Sequence, residues 1–284
     1  MRFEVVLAGL TMAILSGCSI GKFEHTRTEH QSLAPANLEV VEVSTFNGAV
    51  NITAHDSAEV EVQIDYSARG DSEEAAAANC ETLGCHLSDE NGRLVLNATR
   101  PANDYSSAAA MTLKVPRYCR VEVQTSNGAV SVEGFSGDVD LTSSNGRIRA
   151  ENIEGAIDLE TSNGRIEIVG CTGPIDVSTS NGRVEFDGNL TGQDNQISTS
   201  NGSVQVMLPS DALVAVTAET SNGKVACSTE HAVIKQDDDY LKAIVGSGAS
   251  TQAIATAALT IGSSNGSIDV GAVSAADVSE SKNN

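Results

Sequence analysis

An Asn-Gly dipeptide recurs along this chain at a nearly fixed spacing, and this repeat restricts the fold more than any other feature of the sequence. Four copies follow one another at a constant spacing of 18, and the next two follow at spacings of 20 and 21. Most copies follow a Thr-Ser or Ser-Ser pair, which Asn91-Gly92 lacks. The eight copies begin at Asn47, Asn127, Asn145, Asn163, Asn181, Asn201, Asn222 and Asn265. Self-similarity of this kind predicts a repeat architecture.

The residues on both sides of each Asn alternate between apolar and polar. The apolar positions lie six and four residues before the Asn and three and five after it, as in Val139, Leu141, Ile148 and Ala150. Alternation with many β-branched residues is typical of half-buried strands. Each copy therefore predicts two short strands joined at a corner, where Asn and Gly are expected because both tolerate positive φ.

Two architectures fit this pattern. An Asn-Gly pair between alternating runs is a hairpin signal, which would give an antiparallel meander. Alternatively, each unit is one coil of a parallel β-solenoid, with the corners stacked about 4.8 Å apart and their Asn side chains hydrogen-bonded along the row. The charged positions do not choose between them, because like charges face each other in either arrangement. The near-identity of the repeats favours the solenoid.

The charge balance excludes one class of partner. The chain has 284 residues, with 17 Lys and Arg against 38 Asp and Glu, for a net charge of −21. A protein that binds nucleic acid needs clustered basic residues to displace counterions, so we expect no nucleic-acid partner. Only 3% of the residues are aromatic, so the core must be built from small aliphatic side chains.

The N-terminus has the features of a secretory signal, because a short basic start precedes an apolar run that is too short to cross a bilayer. The sequence Leu15-Ser-Gly-Cys resembles the lipobox of bacterial lipoproteins. That resemblance implies cleavage before Cys18 and acylation of its thiol, for example with palmitate. The Ser19 that follows implies sorting to the outer membrane of a Gram-negative bacterium. We predict a signal peptide over 1–17 and a lipidated flexible tether over 18–38.

The repeat pattern is interrupted between residues 57 and 116. Asp71 and Glu74 have the spacing of a capping box, and Gly84 is well placed to end a helix, which predicts a helical insertion at about 71–84. In an oxidising envelope some cysteines are expected to pair. Cys80, Cys85 and Cys119 are the candidates for a disulfide, and the sequence does not choose the pairing.

No motif in the chain points to catalysis or to a metal. The sequence has no nucleophile elbow, no Walker loop, no His-Glu-x-x-His and no paired Cys-x-x-Cys, so we predict no catalytic residues, no metal site and no cofactor. The alternative is a carbohydrate-active β-helix enzyme that uses surface carboxylates. Asp140, Asp158 and Asp176 would be its candidates, although they recur with plain neighbours, whereas catalytic carboxylates need unlike environments.

The repeats resemble a known family. The run 113–134, Thr161-Ser-Asn-Gly-Arg-Ile-Glu-Ile and Gly262-Ser-Ser-Asn-Gly-Ser-Ile-Asp-Val are similar to the bacterial putative-adhesin family of β-strand-repeat lipoproteins. The resemblance covers about 40–270. It implies a β-solenoid-like fold and a secreted or lipid-anchored protein, and it supplies no catalytic residue.

We therefore expect an all-β protein, a single-stranded parallel β-solenoid whose coils have the length of one repeat, with Asn-Gly corners. The repeat domain spans 39–270, and 271–284 form a disordered tail. The expected function is a non-catalytic scaffold or interaction module, an adhesin of the cell envelope. Its expected partners are the membrane, through the N-terminal lipid, and an envelope protein or polysaccharide.

Overall fold

The computed structural model describes residues 23–35, 37–104, 106–229 and 231–273. The predicted signal peptide, Cys18 and residues 274–284 lie outside the described residues. The chain divides into two compact units, Met1–Val132 (unit 1) and Glu133–Asn284 (unit 2). In the part of the chain that the structure describes, no helix has the length and apolar character needed to cross a membrane.

Unit 1 combines strands with the helix. Its elements in chain order are β1 Phe23–Leu33, β2 Val40–Asn47, β3 Val50–His55, β4 Val60–Gly70, α1 Glu73–Glu81, β5 Gly84–Glu90, β6 Arg93–Thr99, β7 Ala108–Pro116, β8 Arg120–Asn127 and β9 Val130–Glu133. One of its sheets has the order β1-β4-β7-β3-β9 and the other the order β8-β2-β6-β5. The pairs β2–β8, β2–β6 and β3–β7 are parallel, whereas β1–β4, β4–β7 and β5–β6 are antiparallel.

Unit 2 consists of strands in its described residues. They are β10 Val139–Asn145, β11 Ile148–Glu151, β12 Ile157–Thr161, β13 Ile166–Gly173, β14 Ile175–Thr179, β15 Val184–Leu190, β16 Asn195–Asn201, β17 Val204–Pro209, β18 Val214–Thr220, β19 Val225–Cys227, β20 His231–Gln236, β21 Tyr240–Val245, β22 Ala257–Asn265 and β23 Ile268–Val273. One sheet has the order β11-β13-β15-β17-β23-β19, and the other β10-β12-β14-β16-β22-β18-β21-β20.

The strands of unit 2 pair mostly in parallel, and β10 to β17 pair with the equivalent strand of the next repeat. Ile157 pairs with Ile175 and Leu159 with Val177, so partners lie one repeat apart in the chain. These apolar residues are buried, and the residues between them face outward. An antiparallel meander does not describe these strands, and the mostly parallel sheets are consistent with a β-solenoid.

The order of the last repeats differs from their order in the chain. Strand β22 lies between β16 and β18, and β23 lies between β17 and β19, so the repeat that contains Asn265 is inserted between those of Asn201 and Asn222. The segment 228–258 contains β20 and β21, which pair with each other in antiparallel fashion, and β21 also pairs antiparallel with β18.

The reason for glycine at the corners differs from the prediction. The glycines of the unit 2 corners do not have positive φ. Instead, the backbones of successive repeats approach so closely that a Cβ on Gly182 would lie 1.8 Å from the carbonyl oxygen of Gly164. The same approach recurs between Gly202 and Gly182 and between Gly266 and Gly202. Glycine is therefore required by close stacking, and the prediction from positive φ is wrong for these corners.

Asn91-Gly92, which lacks the polar lead-in, has the conformation predicted for a hairpin. Asn91 and Gly92 have φ of 54° and 79°, and they join the antiparallel pair β5 and β6. Positive φ at both central residues is the type I′ pattern. The same dipeptide thus serves in two kinds of turn.

The predicted flexible tether over 18–38 is wrong for residues 23–33. These residues form β1, which pairs along all eleven residues with β4. Its side chains are mostly exposed or half-buried, and only Leu33 is fully buried. Backbone pairing therefore stabilises a strand that apolar alternation does not reveal.

Two further boundaries are corrected. The insertion contains α1, but its N-cap is Ser72 rather than Asp71. The hydroxyl of Ser72 accepts a hydrogen bond from the Ala75 amide at 3.1 Å. The helix ends before Thr82, and Gly84 begins β5. Residues 271–273, predicted to belong to a disordered tail, extend β23, because they pair with residues 207–209 of β17.

Candidate functional site

The Asn side chains of the unit 2 corners form one continuous hydrogen-bonded row, which we call the Asn ladder. Each Nδ2 donates to the Oδ1 of a neighbour in the row. The donor–acceptor distances are 2.9 Å for Asn163 to Asn145, Asn181 to Asn163, Asn201 to Asn181 and Asn265 to Asn201, and 3.0 Å for Asn222 to Asn265. The Asn residues of the ladder follow the order of the repeats in space rather than in the chain, so Asn265 lies between Asn201 and Asn222.

The polar residues that precede the Asn also form hydrogen bonds between repeats. At the corners of Asn163, Asn181, Asn201, Asn222 and Asn265, the hydroxyl of the residue two before the Asn is buried and donates to a glycine carbonyl of the neighbouring repeat. Thr199 donates to Gly182 at 3.2 Å and Thr220 to Gly266 at 2.8 Å. The lead-in was visible in the sequence, but this role was not predicted from it.

Unit 1 has a shorter version of this arrangement. Asn127 donates to the Oδ1 of Asn47 at 2.8 Å, and Asn47 in turn donates to the carbonyl oxygen of Ser107 at 2.9 Å. The buried hydroxyl of Thr45 donates to the carbonyl oxygen of Ala109 at 2.9 Å. In unit 1 as in unit 2, corner side chains therefore connect neighbouring segments of the chain by hydrogen bonds.

The carboxylates of the alternative enzyme lie in register on adjacent strands of unit 2. Asp140 pairs with Asp158, and Asp158 pairs with Asp176, on the outward face of β10, β12 and β14. Asp158 and Asp176 are exposed, and Asp140 is half-buried. The structure thus brings these three residues into one row, at equivalent positions of successive repeats.

The outward face of the other sheet of unit 2 carries ion pairs between repeats. Arg149 bridges Glu151, at 2.9 Å, and Glu167. Burial opposes the charge of the guanidinium, but the hydrogen bonds to these two carboxylates raise the pKa of Arg149 above its ordinary value. Glu185 contacts Arg165 and also Arg183, at 2.6 Å. The pairs Arg149–Glu167 and Arg165–Glu185 join successive repeats, whereas the other two pairs each join residues of the same repeat.

The cysteines proposed for a disulfide are free thiols in this structure. Burial raises the pKa of all three thiols above the ordinary value. The pKa is raised to about 11 for Cys85 and to about 12 for Cys119. Because the thiolate is the reactive form, a raised pKa disfavours reaction of each of these thiols at neutral pH. The pairing stays a prediction, and no group of three or more His, Cys, Asp or Glu side chains suited to a metal occurs among the described residues.

Unit 1 contains a groove of about 390 Å³ on the outward face of β1, β4 and β7. It is lined by His30, Gln31, Ser32, Glu61, Val62, Gln63, Thr112 and Lys114. The Nζ of Lys114 lies 2.8 Å from Oε2 of Glu61. The hydrogen bond and the charge of Lys114 hold the pKa of the Glu61 carboxyl below its ordinary value.

Sequence reasoning missed this groove. Its residues come from three chain segments that are widely separated in sequence and lie outside the Asn-Gly pattern. The available signal was the alternation in 60–66, which places Glu61 and Gln63 opposite the buried Val60, Val62 and Ile64. That alternation predicts the outward face of one strand but not which strands flank it.

Comparisons with known proteins give a family model and similar folds. The model of the family Toastrack DUF4097 matches residues 120–271, more than half of the chain. A solved structure of a putative cell adhesion protein from Clostridium sporogenes is similar with a TM-score of 0.37 and 13% identity, over 87% of this chain and 100% of that one. A putative adhesin from Bacteroides fragilis is similar with a TM-score of 0.43 and 11% identity, over 87% of this chain and 97% of that one. No curated protein matches.

Proposed function

The chain belongs to the Toastrack DUF4097 family, and we propose that it is a non-catalytic interaction module of the bacterial cell envelope, an adhesin held at the outer membrane by a lipid on Cys18. The observation that supports this function most directly is the Asn ladder. A hydrogen-bonded row along successive repeats makes a rigid stack, and outward side chains on such a stack keep fixed spacings. A rigid surface with fixed spacings suits binding to another envelope component.

The proposal includes the finer description of the fold. Each coil contributes one strand to each sheet of a single-stranded parallel β-solenoid, with an Asn-Gly corner between the two strands. The register of β12 with β14, in which Ile157 pairs with Ile175, supports a coil with the length of one repeat. The longer repeats that begin at Asn181 and Asn201 would add residues outside the paired strands.

The carboxylates favour an interaction surface over a catalytic site. A glycosidase needs an acid and a base whose surroundings separate their pKa values. Asp140, Asp158 and Asp176 occupy equivalent positions of successive repeats, and Glu167 and Glu185 are paired with arginines. Equivalent positions along one outward face support a row of surface charges.

The anchor is tested by expressing the full-length chain in a Gram-negative host with labelled palmitate and separating the membranes. We expect label in the intact protein and its recovery with the outer membrane. Cys18→Ala should abolish both, whereas Cys227→Ala, which also removes one thiol, should abolish neither. Unlabelled wild-type protein in the soluble fraction, or acylated Cys18→Ala protein, would contradict the anchor.

The absence of catalysis is tested by incubating the purified protein with envelope and plant polysaccharides and measuring new reducing ends. We expect none above the buffer blank. Release of sugars that is lost in the double variant Asp158→Asn/Asp176→Asn would instead establish the carbohydrate-active enzyme.

A further inference from the structure

The charges of the chain restrict the kind of ligand that can select the groove of unit 1. In its lining, the carboxylate of Glu61 is paired with the ammonium group of Lys114. Two further carboxylates adjoin it, because Ser32 donates to Glu59 at 3.5 Å and Gln63 donates to Asp65 at 2.8 Å. The chain as a whole carries −21. Net negative charge repels anionic polymers and attracts cationic ones over the whole surface. A ligand that selects this groove from the rest of the surface is therefore expected to be uncharged.

The strand register arranges the polar side chains of the groove in two short rows. His30 pairs with Gln63, and Gln63 pairs with Thr112; in the parallel row Ser32 pairs with Glu61, and Glu61 pairs with Lys114. Neighbouring strands lie about 4.8 Å apart, and alternate residues of one strand lie about 6.8 Å apart. The six side chains thus form a compact grid on three paired strands.

This grid offers both donors and acceptors. Lys114 donates, the carboxylate of Glu61 accepts, and the hydroxyl of Thr112 does both. The amide of Gln63 donates one N–H to Asp65 and retains a second N–H and its oxygen, and the hydroxyl of Ser32, which donates to Glu59, can still accept. Vicinal hydroxyl groups of a sugar also donate and accept, so each can bridge two neighbouring groups of the grid. The Glu61–Lys114 pair is already formed, which lowers the entropy lost when these side chains bind a ligand.

We propose that this groove binds a short stretch of a neutral glycan, a hexose or N-acetylhexosamine chain. A volume of about 390 Å³ lies within the range of about 300–1,000 Å³ of ligand sites. The aliphatic carbons of Lys114 and Gln63 and the methyl group of Thr112 provide apolar contacts for the sugar ring in the absence of an aromatic lining. This inference rests on the proposed function, because it names the ligand class of the interaction module.

The experiment is a titration of the mature full chain with three neutral probes, chitotetraose, cellotetraose and maltotetraose. Binding is measured by isothermal titration calorimetry and located by changes in amide chemical shifts. Polygalacturonate and chitosan oligomers serve as the anionic and cationic probes. We expect at least one neutral probe to bind, with shifts confined to strands β1, β4 and β7. Because the ligand is uncharged, its affinity should change less than twofold between 50 and 500 mM NaCl.

Two variants locate the binding. Gln63→Ala removes the central amide, and Glu61→Gln/Lys114→Met removes both charges while preserving side-chain size. Each should weaken binding at least tenfold. Gln196→Ala, at an exposed position on the outward face of unit 2, is the matched control and should bind as the wild type does. Thermal unfolding checks that every variant is folded.

The inference is overturned if none of the three neutral probes binds, or if both groove variants bind as tightly as the wild type. It is also overturned if the two charged probes bind and the neutral ones do not. In any of these cases acylation of Cys18 and the absence of sugar release are unaffected. Failure of the glycan inference is thus distinguishable from failure of the proposed function.

Discussion

At the corner glycines, a single methyl group decides whether neighbouring repeats can stack. A Cβ on Gly182 would lie 1.8 Å from the carbonyl oxygen of Gly164, which is backbone and cannot rotate away. We expect Gly182→Ala to lower the free energy of unfolding by at least about 2–3 kcal/mol, because the strands must separate to admit the methyl group. Denaturant unfolding followed by circular dichroism measures the loss.

Gly262→Ala is the matched control for this prediction. A Cβ on Gly262 would meet no atom within 4 Å, and its φ is not positive. Its effect should lie within about 1 kcal/mol of zero and can be stabilising, because alanine reduces the freedom of the unfolded chain. Equal losses in the two variants would show that close stacking is not the reason for the corner glycines.

Asp187 carries a cost that depends on pH. It lies between Val169 and Met207 of the adjacent strands, and burial raises the pKa of its carboxyl above the ordinary value. A carboxyl whose folded-state pKa is raised destabilises the protein above that pKa, and the penalty disappears as pH falls through it, because the folded state then holds the proton. Asp187→Asn should therefore raise Tm at pH 7, and the gain should shrink towards pH 4. A gain that is independent of pH, or a lower Tm at pH 7, would contradict this explanation.

At the scale of elements, the Asn ladder predicts coupling between repeats. Asn181 donates to Asn163 and accepts from Asn201, so its removal breaks two bonds. We expect Asn163→Ala and Asn181→Ala each to cost about 1–3 kcal/mol, at a net 0.5–1.5 kcal/mol per bond. The loss in the double variant should be smaller than the sum of the two single losses by about the free energy of one hydrogen bond. Both single variants break the bond from Asn181 to Asn163, which is therefore counted twice in the sum.

The control is the pair Asn163 and Asn222, which are separated in the row by Asn181, Asn201 and Asn265. Their losses should add within about 0.5 kcal/mol because they share no partner. Additivity for the adjacent pair as well would show that the side chains act independently and do not form a cooperative ladder. Guanidinium unfolding of the wild type, the three single variants and the two double variants gives both cycles.

The elements that could be predicted from the sequence are those whose burial is periodic. Leu159 and Val177 alternate with polar residues, and this alternation identified the strands, their inward faces and the corners between them. Strand β1 was missed because its stability comes from backbone pairing with β4, which leaves no apolar pattern. The insertion of the Asn265 repeat was missed because near-identical repeats can stack in any order. The groove was missed for the same reason as β1. Its residues come together because three strands are neighbours in the sheet, and the spacing of apolar residues in the sequence does not reveal which strands are neighbours.

At the scale of the whole molecule, the excess of negative charge should control how stability depends on salt. The chain has 38 acidic and 17 basic side chains, so 21 acidic groups have no opposite charge to balance them. Self-repulsion destabilises a compact state, and salt screens it. Salt also weakens the ion pairs, such as Arg93 with Glu42 and Glu122, but half-exposed pairs contribute at most about 1 kcal/mol each. Repulsion is therefore expected to dominate.

Raising NaCl from 50 to 500 mM at pH 7 should accordingly increase Tm, by about 2–4 °C for each kcal/mol of relieved repulsion. The sequence pI is about 4.4. At that pH the net charge is close to zero, so the same salt step should leave Tm almost unchanged or lower it, because only the attractive pairs remain to be screened. Differential scanning calorimetry at the two pH values makes the comparison. An equal rise in Tm at both pH values would mean that salt acts by strengthening the burial of apolar surface. A fall in Tm at pH 7 would mean that the ion pairs outweigh the repulsion among the acidic side chains.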